Sequence, residues 1–280
     1  MVEIAVEDDQ LGGASRQGQG ELERPVVGCG GREVVVAGGQ ESMTNGPHVL
    51  PGSRQGWTYG NINVVDSVAH DGLTDAFDHE SMGASTERRN TELSIDRTAQ
   101  DEVAAASHQR AAAAAESGVF DAEIVPVAVP QRKGDDLVLT KDEGIRPQTT
   151  VESLAPLRPA FDKDGTITAG NSSPLSDGAA AVVLATRGYA EDNGLQWLAV
   201  VGKPGQVAGP DTSLHSQPSN AIAQALKRAG WSTSDLDFIE INEAFGSVAV
   251  QSLKDLDYPL EKCNLHGGAI ALGHPIGASG

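Results

Sequence analysis

The chain has 280 residues, 39% of them apolar and 4% aromatic, with a net charge of −19. That is enough apolar matter for a core in one or two domains, while the acidity opposes nonspecific contact with nucleic acid or anionic membrane, and the scarcity of aromatics argues against a base-stacking surface. With no run of about 18 apolar residues, acidic Glu3, Glu7, Asp8 and Asp9 where a leader would be basic, and two distant cysteines, Cys29 and Cys263, the expectation is a soluble protein of the reducing cytoplasm.

Residues 1–32 are rich in Gly, Gln and Glu without a sustained period and are expected to lack regular structure. Glu33 leads into Val34-Val35-Val36, a short buried strand by its β-branched run, which enters a glycine turn at Ala37-Gly38-Gly39. From Gln40 to Gly170 the chain is loop-rich around one long helix. Asp96 can cap that helix, residues 97–117 are strong helix formers, and Gly118 suits its end. Its alanine tract predicts a close-packed face, and Asp101-Glu102 a solvated one. Asp177-Gly178 turns into residues 179–185, a fully buried strand, followed by a short helix ending near Gly194; residues 198–201 form a second buried strand. Pro218 opens a helix whose apolar positions Ile222, Ala225, Leu226 and Ala229 share one face, and Gly230 closes it. Residues 236–241 then read as a strand. Strands alternating with helices at this spacing imply an α/β architecture with helices covering sheet faces.

Asn242 follows that strand where a helix should begin, a place where α/β sheets put ligand contacts, although an Asn there can equally be a helix cap. The stretch Asn264-Leu265-His266-Gly267-Gly268-Ala269-Ile270-Ala271-Leu272-Gly273-His274-Pro275-Ile276-Gly277 sets His274 in a glycine-flanked turn between an apolar strand and a helix start at Pro275. An imidazole presented at such a backbone-dense turn suits chemistry on a carbonyl; the plainer reading is a hydrogen-bonded structural histidine. The seven histidines show no His-x-x-x-His spacing and the cysteines no Cys-x-x-Cys, so metal chemistry has no support, and Gly267-Gly268 does not make a dinucleotide fingerprint.

The Asn242-Glu243-Ala244-Phe245 block and the Gly273-His274-Pro275 block, at this separation, resemble the C-terminal half of thiolases, the acyl-CoA acetyltransferases that make or cleave 3-oxoacyl-CoA. The likeness extends upstream through Ala37-Gly38-Gly39-Gln40-Glu41-Ser42-Met43, Asp71-Gly72-Leu73, Ser81-Met82-Gly83 and residues 168–181, so that it covers about residues 33–280. It implies the layered α-β-α-β-α fold of thiolases, two similar α/β halves with a loop domain, truncated here. Residues 33–45 and 177–196 would be the remnant of the first half, 46–176 the loop domain, 197–280 a truncated second half, and 1–32 an aberrant segment. Coenzyme A and acyl-CoA would be substrates, with no further cofactor, and the protein would be a homo-oligomer.

By the same resemblance His274 takes the proton of a cysteine thiol that attacks the acyl-CoA carbonyl, and with a water held by Asn242 it stabilises the oxygen that becomes negative. Arg146, Ser153 and Ser173 would line the coenzyme A tunnel, where an arginine can neutralise phosphate and serines can donate to the pantetheine amides. Arg146 could instead be a solvated surface charge, and either serine a turn or cap. The family also needs two cysteines. The place of the first is taken by Gly12-Gly13-Ala14-Ser15, with Cys29 too near Ala37 to substitute; the second belongs beyond Gly280; and Cys263 reads as a small buried apolar residue. The expected function is therefore acyl-CoA C-acyltransferase, and the alternative an inactive remnant that at most binds coenzyme A.

Overall fold

A computed structural model describes residues 4–7 and 33–279, the first of these runs as backbone alone. Its strands are β1 (Ile4–Glu7), β2 (Val34–Ser42), β3 (His48–Val49), β4 (Val65–Asp66), β5 (Val127–Val129), β6 (Leu137–Leu139), β7 (Asp177–Thr186) and β8 (Ala199–Val201). Its helices are α1 (Met82–Leu93), α2 (Arg97–Glu116), α3 (Val151–Leu154), α4 (Arg187–Asp192), α5 (Gln217–Ala229), α6 (Gly246–Leu256) and α7 (Ala269–Leu272). The α/β class expected from the alternation of patterns holds.

One four-stranded sheet runs in the order β2-β7-β1-β8, with β2 antiparallel to β7 and β1 parallel to both its neighbours. The turn expected at Ala37-Gly38-Gly39 does not form; β2 continues through it to Ser42, paired with β7 from Val34↔Ala185 to Ser42↔Asp177. These glycines serve close approach instead. A Cβ on Gly38 would lie 2.6 Å from the Ala180 carbonyl oxygen, and one on Gly39 would lie 2.2 Å from that of Gly277. Residues 4–7, expected to be irregular, lie inside the sheet; Ile4 and Val6 alternate over too few positions to register as a period. Cys29 and Gly12–Ser15 fall outside the described residues. The burial expected of residues 179–185 is only partial, and residues 198–201, expected to be buried, are all exposed. Ala185 and Ala190 are closed off where α4 packs on β7, but Val36 is 70% exposed, Val182 47% and Leu198 69%. Composition shows what a strand is suited to meet; whether a layer covers it depends on the rest of the assembly.

The main core lies in the helical body around α2. Asp96 caps that helix as expected, its Oδ1 accepting from the Ala99 N–H at 2.8 Å, and Ser117 and the positive-φ Gly118 end it. Its alanines, Ala104, Ala105, Ala111 and Ala114 among them, are buried and let α6 and α7 lie close. Val103, Leu154, Ile239, Ile241, Leu253, Leu256, Cys263 and Ile270 pack around them; each large side chain here contributes about 1.5–3 kcal/mol of apolar burial. Asp101 is not on a solvated face. It is fully buried, bonded to Arg97 Nε at 2.7 Å and to Asn171 Nδ2 at 2.9 Å, while Arg97 also donates to the Leu154 and Leu157 carbonyls. Glu102 is exposed as expected.

Helix α5 begins and ends as expected, with Leu226 buried and Gly230 left-handed at its cap. Residues 236–241 do not form the expected strand. They make one parallel bridge, Ile239↔Cys263, and the Asn264 side chain supplies the rest of the pairing by accepting from the Ile241 N–H at 2.7 Å and donating to its carbonyl at 2.9 Å. The apolar run at 269–272 is likewise a helical turn, and Pro275 opens a tight turn closed by Ala278 N–H to Pro275 O rather than a helix. Between α1 and α6, His215 is sealed at 1% exposure, its Nε2 2.7 Å from Asn90 Oδ1 and its carbonyl accepting from Ser252. Among the described residues no helix is long and apolar enough to cross a membrane.

Candidate active site

Two loops build the site. The first, residues 242–245, leads into α6; the second, residues 273–279, follows α7 and lies on β2 at Gly39. They bring the two side chains singled out from the sequence into contact: Asn242 Nδ2 stands 3.2 Å from Nε2 and 3.3 Å from Nδ1 of His274. An atom that near both ring nitrogens must lie over the ring, since in the plane Cε1 fills the position. The carboxamide therefore covers the imidazole face without consuming the Nε2 lone pair.

His274 is held at three points. Its backbone N–H donates to Ser176 Oγ at 3.1 Å, its Nδ1 lies 2.9 Å from Ser279 Oγ, and its preceding residue, Gly273, has φ +100 with room for no side chain, since a Cβ there would meet Ser176 Oγ at 2.7 Å. Ser279 Oγ also reaches the Pro275 carbonyl at 3.3 Å. In the tautomer with Nδ1–H donating to Ser279 Oγ and Ser279 O–H donating to Pro275, Nε2 keeps its lone pair. Burial holds the His274 pKa below its ordinary value, so the ring is neutral near pH 7.

The other expected ligand contacts are differently placed. Ser173 joins the pair's surroundings, its N–H and Oγ both 3.1 Å from the Ala244 carbonyl, two residues from Asn242. Arg146 has an exposed side chain, and its backbone N–H donates to Nδ1 of buried His108 at 3.3 Å. Burial and then the nearby Arg146 charge hold His108 low and neutral. Ser153 is engaged locally: it forms a capping box with Thr150, its Oγ donating to the Thr150 carbonyl at 2.8 Å and accepting from the Thr150 N–H at 2.9 Å. The helix-cap alternative weighed for Ser153 is thus the geometry found, and Asn242 caps no helix.

Cys263 is 1% exposed, and burial, with the neighbouring Glu243 and Glu240 charges, pushes its thiol up to about 12. It cannot supply a thiolate near neutral pH. Ser176 and Ser279 were not legible as site residues, since a serine carries no distinctive spacing. Among the described residues no cluster of His, Cys, Asp and Glu could hold a metal ion.

Residues 24–188 match the thiolase N-terminal domain family and residues 195–280 the thiolase C-terminal domain family. The chain belongs to the thiolase family. It is 56% identical over 255 residues to a probable acetyl-CoA acetyltransferase of Mycolicibacterium smegmatis, covering 91% of this chain and 66% of the relative. To the acetyl-CoA acetyltransferase of Chromobacterium violaceum it is 48% identical over 252 residues, covering 90% and 64%. The crystal structure of the Bacillus anthracis acetyl-CoA acetyltransferase superposes with a TM-score of 0.83 at 42% identity, over 89% of this chain and 62% of that one. The thiolase-like α/β fold implied by the motifs is therefore the fold present. The chain spans just under two thirds of the length of these thiolases.

Proposed function

We propose that this chain carries the imidazole–carboxamide part of an acyl-CoA C-acyltransferase site, transferring an acetyl or acyl group between coenzyme A and acyl-CoA. The observation that carries the reading is the contact of Asn242 Nδ2 with His274 Nε2 at 3.2 Å. In the direction of cleavage, neutral His274 takes the proton of a thiol, and the resulting thiolate adds to a thioester or ketone carbonyl. The Asn242 N–H groups, directly or through a held water, then face the oxygen on which negative charge develops. The thiol of the covalent intermediate is assigned to none of the described residues, because Cys263 is buried and held protonated. Family membership and the acetyl-CoA acetyltransferase names of relatives at 48–56% identity support the reaction class.

Arg146, with its exposed side chain, suits the phosphates of coenzyme A, and Ser173 borders the route to Asn242. Ser153 would reach the pantetheine arm only through the acceptor capacity its cap leaves spare. No cofactor beyond these substrates is proposed; a cytoplasmic homo-oligomer is. The test is thiolysis of acetoacetyl-CoA by free coenzyme A, followed alongside calorimetric binding of coenzyme A. Turnover that vanishes in His274→Ala supports the assignment. Binding without turnover would overturn it in favour of a chain that only holds the ligand, and neither binding nor turnover would overturn both.

A further inference from the structure

Glu243 follows Asn242 in the chain and points the opposite way, into the core, where it is 2% exposed. Its Oε2 accepts from Ser107 Oγ at 2.7 Å and from the Ile270 N–H at 3.1 Å, and its Oε1 accepts from Asn264 Nδ2 at 2.7 Å. Ser107, on α2, itself accepts from the N–H groups of Gly268 at 3.0 Å and Ala271 at 3.3 Å, so its own proton is left for the carboxylate. Asn264 in turn holds both backbone groups of Ile241. Each hydrogen bond to the Glu243 carboxyl is donated to it, which favours its charged form and opposes the rise in pKa caused by burial and, after it, by the Glu240 charge. Gly268 completes the fit: a Cβ there would stand 2.3 Å from Glu243 Cδ.

We infer that Glu243 is the positioning residue of the Asn242–His274 pair. Its carboxylate ties the segment carrying the carboxamide to the helical turn that leads into the imidazole, and ties both to α2. The two functional groups come from loops that share no strand or helix, and their own contact is a single weak one over the ring face. What links their two segments is the buried carboxylate, one residue from Asn242 and bonded to the N–H of Ile270 in α7, four residues before His274. The inference rests on the proposed reading of the pair as acid–base machinery, and Glu243 itself touches no reacting atom.

The test follows the His274 imidazole by NMR in the full chain with labelled histidine, so no substrate is needed. Asn242→Ala first measures how the titration midpoint of His274 moves when the carboxamide leaves. Glu243→Gln keeps the volume but turns an amide N–H₂ towards donors. It is expected to displace the His274 midpoint in the same direction, by at least half as much, while the far-ultraviolet circular dichroism is retained. If Glu243→Gln does not fold, Ser107→Ala removes one tie with the carboxylate in place and is expected to displace the midpoint likewise.

A loss of stability in these variants with the His274 titration unmoved would overturn the inference, leaving Glu243 a core residue only. An Asn242→Ala protein whose His274 titrates as before would overturn it too, since the pair would then not meet in solution. Absence of acetoacetyl-CoA cleavage, by contrast, counts against the proposed function and leaves the NMR result standing.

Discussion

Acid should weaken this fold through His215, and the size of the effect follows from its surroundings. Asn90 Nδ2 donates to Thr166, which leaves its Oδ1 as an acceptor, so His215 carries its proton on Nε2. Its buried Nδ1 has no hydrogen-bond partner among the described residues. A second proton there would put a charge in a sealed position. Burial takes the pKa from 6.5 to about 4; the Arg89 charge adds to the lowering, and Asp211, Asp255 and Glu92 oppose it without reversing it. The unfolded chain therefore binds a proton that the folded chain refuses. The stability is fully present above about pH 6.5, falls as the pH drops below it, and is lost by about pH 4, at roughly 1.4 kcal/mol per pH decade and about 3 kcal/mol in all. His215→Gln keeps a donor for Asn90 but does not titrate. Urea unfolding followed by tryptophan fluorescence, with both proteins at about pH 7.5 and about pH 4.5, should show the gap between them move by about 2 kcal/mol in favour of the variant at the lower pH. Other acid-sensitive groups cancel in that difference. A gap that does not change with pH would refute the assignment of a sealed, neutral imidazole.

Cys263, with its thiol near 12, should resist alkylation by iodoacetamide in the native chain and react fully in urea, as read by peptide mass spectrometry; native labelling at the rate of a free thiol would contradict its burial. Arg97→Ala strips Asp101 of its charge partner and the Leu154 and Leu157 carbonyls of a donor, so it should cost about 3 kcal/mol in denaturant unfolding, with part recovered by adding Asp101→Asn. Gly39→Ala places a methyl 2.2 Å from the Gly277 carbonyl oxygen, which is backbone and cannot swing away. It should cost about 1–3 kcal/mol and shift the His274 imidazole resonances, and unchanged resonances would show that the turn does not rest on that strand.

Much of this fold was legible because the signals were local. Asp96 and Gly118 bracket α2, and Pro218 and Gly230 bracket α5, since caps and end glycines act within a turn of themselves. The errors share another cause. Gly38 and Gly39 look like turn residues and are instead strand residues that admit a crossing backbone; Asp101 looks solvated and is buried because Arg97, one turn back on α2, and Asn171, from a distant loop, complete it. Residues 236–241 have strand composition but find one bridge and the side chain of Asn264 in place of a neighbouring strand. Asn242 and His274 could be named as a pair because their flanking blocks are distinctive, whereas Ser176, Ser279 and Glu243 act through distances that only the folded chain sets.

The seating of the His274 turn on β2 joins opposite ends of the described chain backbone to backbone, Gly39 against Gly277. Closing so long a loop spends chain entropy before it returns any contact, so the turn reaches β2 later than Ser279 and Asn242, which stand nearer in the chain, reach the imidazole. The seat of the His274 turn on β2 would then be among the last features this polypeptide gains, and under mild denaturation among the first it gives up.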